Sequence, residues 1–143
     1  LFEYKLFWKN IFNENKQKIK NFLIINFIGK DNKIGLRIDT NFYTHDFDKK
    51  TDNDQLVLNV LNMIKKYKVN IDDNFSVLVN NGPGRFSSMR TSLAIAKGIR
   101  ISKKINLFGY KNSDLGQLNL TNIELLIKKK LIQKNLIKPL YLS

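Results

Sequence analysis

Between residues 81 and 98 the chain reads Asn81-Gly82-Pro83-Gly84-Arg85-Phe86-Ser87-Ser88-Met89-Arg90-Thr91-Ser92-Leu93-Ala94-Ile95-Ala96-Lys97-Gly98. No other stretch comes nearer to a chemical motif. Gly82 and Gly84 can take positive φ, and Pro83 fixes the bend between them. Ser87 or Ser88 is placed to cap a following helix. Unpaired N–H groups at such a helix start favour an anion, and Arg85 and Arg90 add positive charge. The candidate anion-binding loop is therefore Gly82, Pro83, Gly84, Arg85, Phe86, Ser87, Ser88 and Arg90. The same spacing also describes a tight strand-to-helix turn that binds nothing. It is not a Walker A loop, which ends in Gly-Lys-Ser/Thr. Nor is it a dinucleotide fingerprint, which needs Gly-x-Gly-x-x-Gly.

The remaining side chains offer little else. His45 is the single histidine, and a metal site draws on several ligands. The loop serines have no His–Asp partnership to activate them. Asp39, Asp46 and Asp48 read as solvated strand and turn residues rather than an acid/base pair. With no cysteine there is no disulfide, thiolate metal site or thiol nucleophile. No catalytic residue, metal or cofactor is expected on these grounds. The aromatics Phe2, Phe7, Trp8 and Phe12, interleaved with lysines, suit stacking on RNA bases or packing of a helix.

The formal net charge is +13. Lys, Asn and Ile dominate the sequence, a bias that an AT-rich coding sequence produces whatever the protein does. Arginine, the residue suited to bidentate phosphate recognition, occurs only at 37, 85, 90 and 100. The basic balance therefore reads first as general polycation bias and second as attraction to RNA. No apolar run approaches the ~20 residues of a membrane span. The longest, Phe22 to Ile28, is broken by Asn26. No signal peptide is apparent in residues 1–20, and a cytoplasmic location is expected.

The elements that must hold the loop follow from hydrophobic periodicity. Residues 1–20 read as an extension. Residues 22–28, 34–39 and 42–47 form three strands joined by short turns, an antiparallel meander. Leu56, Val57, Val60, Leu61 and Ile64 repeat at helical spacing after an N-cap at Asp52 or Asn53, and that helix ends near Tyr67. Residues 75–80 form a strand that runs into the loop. Ser88 to Ser102 forms a helix striped by Met89, Leu93, Ala96 and Ile99, and residues 105–109 form a further strand. A helix over 122–134 and an extended Pro139-Leu140-Tyr141-Leu142 close the chain. The order βββαβαβ followed by a remnant is mixed α/β.

The run Gly82-Pro83-Gly84-Arg85-Phe86-Ser87-Ser88-Met89-Arg90 resembles the signature Gly-Pro-Gly-Ser-Phe-Thr-Gly-Leu-Arg of the TsaB family. These are bacterial scaffold proteins of tRNA threonylcarbamoyladenosine biosynthesis with an actin-like ATPase fold. Ala96-Lys97-Gly98 matches the Ala-Lys-Gly of the family's small-residue helix, and Pro139-Leu140-Tyr141-Leu142 resembles its terminal Pro-x-Tyr-Leu. Residues 22–36 look like its opening hairpin, and 54–64 like its first helix. Departures are also visible. Ile25-Asn26-Phe27-Ile28 stands where the family has Ile-Asp-Thr-Ser, whose Asp belongs to the metal-phosphate region of active actin-like ATPases. Arg85 replaces a Ser, and Ser87-Ser88 replaces Thr-Gly. Asp52-Asn53-Asp54 takes the place of His-Ser-Glu.

The resemblance implies a single actin-like (ribonuclease H-like) subdomain over 21–115, with a reduced helix-strand segment over 116–143. It implies a non-catalytic scaffold that pairs with a TsaD-like protein, with a TsaE-like protein in the same system and tRNA engaged indirectly. The implied interface lies on the two helices, at Leu56, Val60, Ile64, Met89, Leu93, Ala96 and Lys97, where small residues such as Ala94 permit close approach. The same helices could support a homodimer, and their apolar faces also read simply as cover for the sheet. Two alternatives remain: an enzyme, either a residual phosphotransferase binding nucleotide at the 82–88 loop or a peptidase as older family labels suggest, and an RNA-binding module using lysines such as Lys128, Lys129 and Lys130.

Overall fold

The computed structural model describes residues 19–29, 32–84, 86–102 and 105–134. Six strands occur among them, in spatial order β3-β2-β1-β4-β5-β6. Three come from the opening meander: β1 (Asn21–Asn26), β2 (Asn32–Ile38) and β3 (Asn41–Phe47). They pair antiparallel, Ile24 opposite Gly35 and Gly35 opposite Thr44. The turn from β2 to β3 is two residues long, with Asp39 at φ 55°. Its N–H donates to Asn21 Oδ1 at 2.8 Å.

Helix α1 (Asn53–Lys66) then carries the chain to β4 (Phe75–Asn80), which lies parallel to β1. All six β4 residues are buried, as a central strand covered on both faces requires. Helix α2 (Phe86–Ser102) leads to β5 (Asn106–Tyr110), parallel to β4. The antiparallel meander and the early helix lie close to the sequence expectation. Two details differ. Asp52 is the N-cap of α1 but makes no side-chain cap bond. Helix α2 starts at Phe86, so Ser87 and Ser88 lie inside its first turn rather than at a cap.

The two sheet faces hold separate cores. Leu23, Ile25, Val77, Val79 and Leu107 pack beneath α1 and α2, through Leu56, Val60, Met63, Leu93, Ala96 and Ile99. Phe22, Ile24, Leu78 and Phe108 point the other way, as strand alternation demands. They meet Leu115, Ile123 and Leu126. The last two lie on α3 (Leu120–Lys128), capped by Asn119, whose side chain accepts from the Asn122 N–H at 2.8 Å. The helix expected over 122–134 thus begins earlier and ends earlier. Lys130 takes φ 56° and turns the chain into β6 (Ile132–Gln133), antiparallel to β5. The segment from 116 is therefore packed, through residue 134, into the same body as the sheet. Residues 1–18 and 135–143, with the expected extension and the Pro139–Leu142 strand, lie outside the described residues. No described helix is long and apolar enough to cross a membrane.

Candidate functional site

The parallel strands β1, β4 and β5 end together, and the glycine-rich loop leaves from the middle one. Asn80 is the last residue of β4 and is almost wholly buried. Its Oδ1 accepts from the Gly82 N–H at 2.9 Å. A backbone N–H can only donate, so the other end of the carboxamide must be nitrogen. That Nδ2 donates to Asn26 Oδ1 at 2.8 Å and to Asn112 Oδ1 at 3.0 Å. Asn26 closes β1, and Asn112 opens the 3-10 turn (Asn112–Asp114) that follows β5. The Asn112 N–H also donates to the Gly82 carbonyl at 2.9 Å, and the Asn81 N–H to the Tyr110 carbonyl at 2.7 Å. One asparagine thus ties three strand ends to the loop.

The loop itself is bent as its residues demand. Gly82 has φ 90°, and the Gly82–Pro83 peptide is cis. Pro83 is exposed while Gly84 is buried, and a Cβ at Gly84 would collide with the side chain of Ile28. Arg85 lies outside the described residues. Phe86 and Ser87 are helical. Ser88 is half-buried, and its carbonyl accepts from Ser92 Oγ at 2.6 Å. Arg90 points outward, away from the core side of α2.

Beside the start of α2 a lysine is already in place. Lys49 Nζ donates to the Phe27 carbonyl at 2.6 Å, to Asn32 Oδ1 at 3.0 Å and to Ser88 Oγ at 3.4 Å. It therefore links the β1–β2 turn, the segment after β3 and the first turn of α2. A cleft of about 110 Å³ adjoins it, walled by Asn32, Thr51, Asn53, Ser88 and Thr91. A second cleft, about 220 Å³, lies at the opposite, amino ends of β4 and β5, between Asp73 and Lys134. Among the described residues no three His, Asp or Glu side chains gather as metal ligands. His45 stacks beside Phe47 on the edge strand, at 6.4 Å between ring centres. Tyr110, at the end of β5, is fully buried, and that burial pushes its phenol well above the ordinary tyrosine range.

The residues expected at a partner interface divide in two. Leu56, Val60, Met89, Leu93 and Ala96 are buried, and Ile64 is packed against the same core. The first five face the core and leave almost no surface of their own, as the sheet-covering alternative has it, whereas Ile64 keeps part of its side chain exposed. Lys97 is exposed, with Ala94 and Gly98 beside it on the outward side of α2. On α1 the outward side carries Leu58, 50% exposed, and Leu61, 46% exposed. Periodicity picked out the inner stripe of these helices, the side that covers the sheet. Leu58 is not part of that stripe, and Leu61 is grouped with it by spacing although its side chain faces outward.

The sequence matches no protein-family model and no curated protein. The fold does have counterparts among solved structures. YeaZ from Pseudomonas aeruginosa superposes with a TM-score of 0.56 at 13% identity, over 64% of this chain and 44% of that one. A crystal structure of an uncharacterized protein with similarity to peptidase YEAZ, also from Pseudomonas aeruginosa, gives a TM-score of 0.55 at 13% identity, over 64% of this chain and 43% of the other. The fold is that of YeaZ, the actin-like fold that the TsaB resemblance implies. The match spans less than half of each neighbour's length.

Proposed function

We propose that this chain is a TsaB-like scaffold without a catalytic group of its own. In this reading it supports threonylcarbamoyl transfer to tRNA by pairing with a TsaD-like protein. The observation that carries it is the outward face of α1 and α2. Leu58 and Leu61 on α1 are large apolar side chains left about half exposed, and α2 turns the small Ala94 and Gly98 outward. Small residues let a second pair of helices approach closely, and exposed leucines supply apolar area for it to bury. Lys97 and Arg90 stand at the rim, where charges steer association more than they hold it. The likeness in fold to YeaZ and the resemblance of the glycine-rich loop to the TsaB signature support this reading.

Co-purification tests the reading. The full chain, tagged and expressed with the TsaD-like protein of the same organism, is expected to bring it down in a stable complex. Failure to co-purify, with both proteins folded, refutes the pairing. Self-association through the same helices would appear as a homodimer that dissociates when the partner is added.

A further inference from the structure

The actin-like fold implies a magnesium nucleotide near these strand ends, and the residues present do not fit one. A divalent cation of that kind is held by carboxylate and carbonyl oxygens at about 2.0–2.6 Å. Here the converging groups are three carboxamides and the buried Tyr110 phenol, which takes a side-chain hydrogen bond from Asn80. Asn26 Oδ1 and Asn112 Oδ1 do point toward one spot, but that spot holds Asn80 Nδ2, at 2.8 and 3.0 Å. Those are N–H···O separations, too long for a metal–oxygen bond. Turning Asn80 over is not open to it, because its Oδ1 is pinned by the Gly82 N–H at 2.9 Å. Asn80 is 1% exposed, so no solvent substitutes for these bonds.

We propose that the Asn80 carboxamide nitrogen occupies, within the chain, the place of a bound cation. Its two N–H groups present positive partial charge to Asn26 Oδ1 and Asn112 Oδ1. The amide does so without a net charge, and so without the desolvation cost of a buried ion. It draws the ends of β1 and β5 onto β4 and holds the loop at Gly82. The strand ends are consequently locked in their folded arrangement without any metal, and they turn divalent cations away.

Two double variants of the full chain, melted with EDTA or with Mn²⁺, test this. Asn26→Asp/Asn80→Asp puts a carboxylate oxygen where Nδ2 stood, facing a second carboxylate. It is expected to melt below the native protein in EDTA and to gain ~3–6 °C when Mn²⁺ is tenfold above its Kd. Asn26→Asp/Asn112→Asp adds the same charge but keeps the Asn80 donors between the two carboxylates. It is expected to fold and to gain markedly less. The native chain is expected to show no Mn²⁺ effect. An equal gain in the native chain or in Asn26→Asp/Asn112→Asp overturns the proposal. So does a folded Asn26→Asp/Asn80→Asp that ignores Mn²⁺, or one whose folding is not recovered by Mn²⁺ during refolding.

Discussion

Replacing Leu58 and Leu61 together is the most direct probe of the proposed docking face. Full burial of a leucine contributes roughly 1.5–3 kcal/mol. Each of these residues has about half of its surface still to cover. Truncation to alanine should therefore remove about 1 kcal/mol of association energy per site, or ~2 kcal/mol for Leu58→Ala/Leu61→Ala. That corresponds to a roughly 30-fold weaker Kd for the TsaD-like partner. Leu58→Asp/Leu61→Asp adds the desolvation of two carboxylates and should abolish measurable pairing. Neither leucine belongs to the buried core, so the melting point of the isolated chain should move little, within about 0.5 kcal/mol of stability per alanine. Calorimetric titration of native and variant chains, with parallel thermal melts, gives both numbers. A folded alanine double variant that binds with native affinity would refute the assignment of this face. Leu56→Ala, only two positions away, is the contrasting control. Its side chain is buried under the sheet, and its loss should cost about 2–5 kcal/mol of stability.

Ile123→Ala should lower stability by about 2–5 kcal/mol in urea melts, because Ile123 is fully buried beside Phe22 and Leu78, whereas Leu125→Ala should cost about 0.5 kcal/mol or less; equal effects would mean that α3 is not part of the core. Gly35→Ala should destabilise by roughly 1–3 kcal/mol, since a new Cβ would lie 2.8 Å from Phe42 Cζ and 2.9 Å from Ile24 Cγ2. The Tyr110 phenol is held above its ordinary range by burial. Its folded pKa exceeds its unfolded one, so the stability it lends is present below pH ~10 and lost as pH rises past it, by about 1.4 kcal/mol per pH unit. Absorbance titration should show one tyrosinate forming only as the chain unfolds, and Tyr110→Phe should remove that step. Glu124→Gln should change stability by less than ~1 kcal/mol despite the 2.6 Å contact with Arg37, because the glutamate is more than half exposed.

Local pattern was enough for much of this molecule. Strand β4 reads directly from Phe75-Ser76-Val77-Leu78-Val79, and α1 from its apolar spacing, because both elements bury residues at a period that the sequence displays. The loop was legible for a similar local reason, since Gly82 permits a positive φ and Pro83 fixes its own. Periodicity has no direction, however. It grouped Leu56 with Val60, yet only the sheet beneath α1 decides that this stripe is inside and that Leu58 and Leu61 are left outside. The end of α3 carries no glycine or proline; Lys130 takes positive φ because the chain must turn back to pair with β5. The asparagine cluster was the least legible feature. In a chain so rich in asparagine, Asn26, Asn80 and Asn112 look like any others. They meet because parallel pairing of β1, β4 and β5 brings three distant strand ends within hydrogen-bond reach, which is a property of the sheet and not of any one segment.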